Sequence, residues 1–147
     1  MSQYLSFELI NKANPEIKVD LGYWCTSIAR GITWNFENIF CYTEDAVKLD
    51  IDTLKDYIET LHSGIEEYKS NLRKEQENKR ENVELLLRAQ SQVTVDSIKE
   101  DIRNNDEAIA EWTDDIETWE MVETSLNFIL DVLDKNNNEW ELVYTNC

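Results

Sequence analysis

Two stretches of the chain carry apolar residues at alternating spacings of three and four. This heptad spacing places the side chains on one helix face. It predicts two long helices, because each series is longer than a single strand. The positions are Ile51, Leu54, Ile58, Leu61, Ile65, Tyr68 and Leu72 in the first series, and Ile98, Ile102, Asn105, Ile109, Trp112, Ile116, Trp119, Leu126, Leu130 and Leu133 in the second.

The short segment between the two series requires the helices to run antiparallel. A turn centred on Gln92 brings Ile65 opposite Trp119. The other core positions of the two helices then pair in the same register. Asp50 or Asp52 is the expected N-cap of the first helix.

The second helix has a different start signal. The segment SQVTVDS is expected to be the loop, and Ser97 with Glu100 matches a capping box, so we expect the helix to begin there.

Both ends of the chain show the alternation of half-buried strands. The segments LSFEL near the N-terminus, IKVDLGYW after the Asn14-Pro15 turn, and EWELVYT after the turn NNN at 136–138 each predict a strand. In between, Ile32, Trp34 and Phe36 alternate, which favours a strand ending near Trp34. A short helix from Phe36 to Cys41, capped by Asn35, is expected to follow.

These elements predict an α+β protein. We expect a small β-containing head made of residues 1–48 plus 136–147, and an antiparallel coiled-coil hairpin over residues 49–135. Three glycines and one proline leave few breaks in the chain, which agrees with long helices.

The charge limits the kind of partner. A formal net charge of −17 argues against direct binding of nucleic acid or of anionic membrane through a basic face. The sequence has no apolar run long enough to span a membrane and no signal-peptide pattern, and its three separated cysteines suit a reducing compartment. We expect a cytoplasmic protein.

Negative charge concentrates in the second helix. Residues 105–134 hold ten acidic residues and no Lys, Arg or His. Bases of the first helix face residues 96–114, but the segment opposite the next acids, residues 61–69, supplies only Lys69. These acids form either a solvated face or a docking surface for a basic partner: Asp115, Glu117, Glu120 and Glu123.

Four polar residues interrupt the heptads at core positions: Glu75, Lys79, Asn82 and Asn105. Polar residues at such positions set register and oligomeric state at a cost in stability. They also suit a hairpin that opens or that self-associates into a four-helix bundle, so a homo-oligomer is expected.

The sequence gives no sign of an enzyme, a cofactor or a metal site. It contains no nucleotide-binding or hydrolase motif, and His62 has no second His or Cys at ligand spacing. The aromatic residues of the head are expected to form its core. An alternative is an aromatic pocket for a small ligand, with Arg30, Trp34 and Asn35 lining it.

The segment ARGITWNFENIF resembles a stretch in small bacteriophage proteins of unknown function. Ile32, Thr33 and Asn35 match their I-T-x-N pattern, whereas Gly31 stands where they have Asn. The resemblance covers residues 1–40 and implies a phage or prophage origin. It carries no activity with it.

The sequence therefore predicts a non-enzymatic protein that binds other proteins, such as a phage accessory or host-takeover factor, through its hairpin and acidic face. Two alternatives stay open. One is a small-ligand binder with its pocket in the head, and the other is an acidic DNA-mimic inhibitor.

Overall fold

The computed structural model of the protein describes residues 2–136 and 139–147. Asn137 and Asn138 of the predicted NNN turn lie outside this range. The described elements are β1 (Leu5–Asn11), β2 (Lys18–Trp24), α1 (Thr26–Asn35), β3 (Thr43–Leu49), α2 (Ile51–Arg88), α3 (Gln92–Lys135) and β4 (Trp140–Asn146). The architecture is α+β, as predicted.

The chain divides into two compact units. Unit 1 comprises Met1–Gly64 and Glu123–Cys147, and unit 2 comprises Ile65–Val122. Unit 1 therefore contains the strands, α1, the first part of α2 and the last part of α3.

Unit 1 is built on a four-stranded antiparallel sheet with the order β2-β1-β4-β3. Alternate residues of β1 divide between its two faces. Leu5, Phe7 and Leu9 are buried on the face that forms the core, whereas Ser6 and Glu8 lie half-buried on the other face. The central strands are paired on both sides, and β2 and β3 form the two edges.

The predicted strands near residues 5, 18 and 140 are confirmed. The segment that follows the second of these strands, residues 26–41, differs from its prediction. Residues 26–35 form α1 instead of a strand that ends near Trp34. Asn35 is the last residue of this helix and does not cap another one. Residues 36–41 form no helix, and Phe36 is the C-cap of α1, with its amide donating to the carbonyl of Ile32.

An aromatic cluster fills the core of unit 1 around Phe40, which is completely buried. Its ring lies 5.3 Å from that of Phe7, 4.9 Å from that of Tyr57 and 5.3 Å from that of Tyr144, each in an edge-on arrangement. Such pairs contribute about 0.5–1.5 kcal/mol each beyond burial.

A buried amide holds the backbone beside this cluster. Phe40 has a left-handed φ of 44°, which costs a bulky side chain energy. The Nδ2 of Asn146 donates to the Phe40 carbonyl at 2.6 Å and to the Thr33 hydroxyl at 3.0 Å. Gln3 Nε2 donates to the Asn146 Oδ1 at 2.6 Å, so this fully buried side chain is satisfied.

Helix α2 begins as predicted, and α3 does not. The Thr53 amide donates to the Asp50 carboxylate at 2.7 Å, which confirms Asp50 as the N-cap. Helix α3 begins at Gln92, where Ser91 Oγ accepts from the Thr94 amide. The predicted capping box at Ser97 was wrong, because that residue lies inside the helix.

In unit 2, α2 and α3 pack side by side and antiparallel. Lys69 contacts Glu120, and ten residues further along α2 Lys79 contacts Asp106. The rings of Tyr68 and Trp112 meet edge-on at 5.3 Å. These contacts lie close to the predicted register.

Candidate functional site

The first candidate surface is a group of carboxylates on α3 in unit 2, which we call the acidic segment: Glu111, Asp114, Asp115, Glu117 and Glu120. Partial burial, and then the charges of Glu111 and Asp114, raise the pKa of Asp115 above its ordinary value. Burial, and then the charges of Asp115 and Glu67, raise the pKa of Tyr68 on α2. Negative charge is therefore held in this segment at an electrostatic cost.

Few positive charges offset the acidic segment. Lys69 of α2 contacts Glu120 at 3.7 Å, but it also contacts Glu66 on its own helix at 3.4 Å. The sequence places no basic residue in α3 between Arg103 and Lys135. Within residues 61–69 of α2 the sequence supplies Lys69 as the base, and its contact with Glu120 agrees with the predicted register.

Several charges elsewhere in unit 2 form ion pairs. Arg103 forms ion pairs with Glu100 and Glu107 of its own helix, and its hydrogen bond lowers the pKa of Glu100. Lys79 binds Asp106 at 2.6 Å. The pKa of Asp115 is thus raised beside acidic neighbours, whereas the pKa of Glu100 is lowered beside a basic one.

The four acids singled out in the sequence do not share one environment. Glu123 belongs to unit 1, where its carboxylate contacts His62 Nδ1 at 2.8 Å. Glu117 is exposed and lies two residues from Asp115, which is about 200° around a helix. The contact of His62 is one that sequence reasoning missed, although the predicted register places His62 next to Glu123.

The polar heptad residues form a connected group in unit 2. Asn105 is 7% exposed, and its Nδ2 donates to Glu75 Oε1 at 2.8 Å. Asn82 Nδ2 donates to Asn105 Oδ1 at 2.7 Å. Lys79, which was expected opposite Asn105, binds the neighbouring Asp106. The role of these residues in fixing register stays a prediction.

The residues proposed for a ligand pocket lie on α1. Arg30 is half-buried, Asn35 is exposed, and Trp34 is 76% exposed. The aromatic residues Phe36, Phe40 and Tyr144 are buried core instead. A ligand role for the three α1 residues stays a prediction.

Unit 1 contains a groove that sequence reasoning missed. It has a volume of about 410 Å³ and lies between β2 and the end of α3 that belongs to unit 1. Its exposed lining includes Phe128 at 66%, Tyr23 at 66% and Leu21 at 37% exposure. We call it the β2–α3 groove, and its lining is Phe7, Leu21, Gly22, Tyr23, Trp24, Thr124, Ser125, Phe128 and Ile129.

The comparisons with known proteins add no relative. No family model, no curated protein and no solved structure matches this chain. Within residues 2–136 and 139–147, no helix is both long and apolar enough to cross a membrane. The same residues include no group of three or more His, Cys, Asp or Glu side chains arranged to hold a metal ion.

Proposed function

We propose that this protein acts without catalysis, by binding a basic protein partner through the acidic segment of α3. The observation that carries the proposal is the environment of Asp115. Its carboxyl is partly buried beside Glu111 and Asp114, and its pKa is raised. A Lys or Arg side chain of a partner would relieve this repulsion, because an opposite charge nearby favours the ionised carboxylate.

The charge distribution also supports a partner with a basic surface. A field of one sign on an exposed helix speeds the encounter with an oppositely charged protein and selects against acidic ones. Glu117 and Asp114 are exposed and available to such a partner. Asp115 adds a half-buried charge at the edge of the packed helices.

The finer architecture belongs to the same proposal. We infer that α2 and α3 of unit 2 form a coiled coil whose a and d layers include the Asn82–Asn105 pair. Such a coil would give the acidic segment a rigid support. The phage resemblance of residues 1–40 is compatible with a small binding protein of this kind.

Two triple variants with equal net charge test the proposal. The variant D115N/E117Q/E120Q removes three charges from the acidic segment, and E81Q/E84Q/D101N removes three from exposed positions elsewhere in unit 2. The probe is a fluorescently labelled lysine-rich peptide, and the measurement is its dissociation constant at several salt concentrations.

We expect the first variant to bind the peptide at least about tenfold more weakly than wild type, since each lost contact between exposed charges is worth up to about 1 kcal/mol. The control variant should stay within about threefold of wild type. Equal losses in both variants would show that net charge alone attracts the peptide, and the proposal would fail. If this protein and duplex DNA compete for the same nucleic-acid-binding protein, the protein is a DNA mimic.

A further inference from the structure

The edge strand β2 presents unusual apolar surface for a chain of this charge. Its residues are mostly exposed, and Ile17 just before it is 48% exposed, Val19 42% and Leu21 37%. Within the segment 17–21, IKVDL, one Lys balances one Asp. An unpaired edge of this kind is a template for another strand.

The outward-facing backbone groups can be assigned from the pairing with β1. The Asn11 amide donates to the Ile17 carbonyl at 3.0 Å, and Val19 lies opposite Leu9 two residues further along. In an antiparallel pair the bonded residues alternate, so the Ile17 carbonyl and the backbone groups of Val19 are directed at β1, while the Ile17 amide donates to the Asn14 carbonyl in the turn. The N–H and C=O groups of Lys18 and Asp20 therefore point away from the sheet.

The side chains of the same segment separate by face. Val19 lies opposite the buried Leu9, on the face that forms the core, and alternation puts Ile17 and Leu21 there too. Lys18 and Asp20 lie on the open face, where Lys18 contacts Glu8 at 3.9 Å. One face of the edge is apolar, and the other carries one charge of each sign.

We propose that two copies of this chain join through their β2 strands, antiparallel about a two-fold axis at Val19. In this register Lys18 of each copy lies opposite Asp20 of the other, and their outward backbone groups form the ladder bonds. Ile17 of each copy lies opposite Leu21 of the other, on the apolar face. The two four-stranded sheets become one sheet of eight strands.

Other registers do not match. A shift of one residue places apolar side chains opposite charged ones, because every side chain changes face. A shift of two places Lys18 opposite Lys18 of the second copy, or Asp20 opposite Asp20, and like charges directly opposite each other destabilise a sheet. Only the register about Val19 matches all five positions of the segment.

Two local features define where the pairing ends. Gly22 has a φ of 93°, and the pairing of β2 with β1 is irregular at this point, so the regular edge stops after Leu21. Leu21 also lines the β2–α3 groove together with Phe128. The Ile17 side chain of the second copy, opposite Leu21, reaches this groove and covers apolar surface there.

The other edge of the sheet is less suited to this role. Strand β3 carries adjacent acids at Glu44 and Asp45, and its pairing with β4 is irregular between Thr43 and Val47. Exposed charge and irregular pairing protect an edge against further strands. Self-association is therefore assigned to β2.

Charge exchange at Lys18 and Asp20 gives a test that is specific to this register. K18D places four acids across the axis, and D20K places four lysines, so each variant alone should dissociate at least about tenfold more readily than wild type. An equal mixture of K18D and D20K restores both oppositely charged pairs and should form heterodimers. Sedimentation of wild type, each variant and the mixture measures this, with thermal melting as a check on folding.

A cysteine pair tests the same axis without changing charge. In a background with Cys25, Cys41 and Cys147 changed to Ser, V19C places two thiols at a non-bonded antiparallel pair, where the Cα atoms are about 4.5 Å apart and a disulfide can form. L21C is the matched control, because the two copies of that position lie about 14 Å apart along the strands.

We expect a cross-linked dimer from V19C and a monomer from L21C on mild oxidation. The proposal is overturned if V19C stays monomeric, or if both cysteine variants cross-link equally. It is also overturned if K18D and D20K each dimerise as well as wild type, since the interface would then lie elsewhere.

Discussion

Gly64 lies in the interior of α2 at a position where the helix makes a close tertiary contact. Glycine weakens a helix interior by about 1 kcal/mol relative to alanine. A Cβ at position 64 would lie 2.7 Å from Cδ1 of the Phe36 ring and closer still to Cε1. Phe36 is 2% exposed, so its ring has little room to move. The glycine lets α2 pass closely beneath this ring.

We expect Gly64→Ala to lower the free energy of unfolding by about 1–2 kcal/mol, because overpacking of about 1–3 kcal/mol exceeds the gain in helix propensity. Chemical denaturation of wild type and variant measures the change. Ser63→Ala, at the exposed neighbouring position, is the control and should be neutral or slightly stabilising. In the G64A background, F36L should cost less than it does in wild type, and an additive double-mutant cycle would contradict the assigned contact.

At the scale of elements, the polar group in unit 2 joins α2 to α3 at a heptad position. Asn105 accepts from Asn82 and donates to Glu75, and it is nearly buried. Replacing a paired set of buried polar groups by apolar ones is often neutral or stabilising, whereas removing one member leaves the others unsatisfied.

We therefore expect N105L alone to be less stable than the double variant N82L/N105L, by about 1–3 kcal/mol in the free energy of unfolding. The double variant should melt at or above the wild-type temperature, because the half-exposed Glu75 can bind water in place of Asn105. It should, however, lose its single register and give multiple amide signals in NMR spectra. One sharp set of signals from the double variant would show that the asparagines do not fix the register.

The elements that could be predicted are those whose apolar residues recur at regular spacing along the sequence. The heptads predicted α2 and α3, and alternation predicted β1, β2 and β4. In α1 the buried residues Ala29 and Ile32, with Phe36 just after the helix, follow helical spacing. The exposed Trp34, 76% accessible, completed a false strand alternation with Ile32 and Phe36.

Two features could not be predicted because they depend on residues that are distant in the sequence. Strand β3 buries only Leu49, and it is positioned by backbone pairing with β4, which its polar sequence does not reveal. The β2–α3 groove combines Leu21 with Phe128, which are brought together only by the fold. The sequence shows the acidic residues. It does not show which of them contacts His62, which contacts Lys69 and which cluster around Asp115, because these contacts depend on the register between α2 and α3.

At the scale of the whole molecule, a formal net charge of −17 opposes compact folding. Salt screens exposed charges over about 8 Å at physiological ionic strength, so it weakens both repulsion and ion pairs. Among residues 2–136 and 139–147 the ion pairs are mostly between exposed side chains, such as Arg103 with Glu107 and Lys135 with Asp131, and such pairs contribute little. Repulsion should therefore dominate the response to salt.

We expect the melting temperature to rise as salt is added from low to physiological concentration, measured by circular dichroism at constant protein concentration. The dependence should be flatter in D115N/E117Q/E120Q than in E81Q/E84Q/D101N, although each variant removes three charges, because the repulsion is concentrated around Asp115. Neutralising Asp115 also removes a group whose folded pKa is raised, and such a group destabilises the fold increasingly as pH rises through that pKa.

A melting temperature that falls with salt would mean that ion pairs outweigh repulsion. Equal salt dependences in the two variants would mean that total charge, rather than its clustering on α3, governs stability.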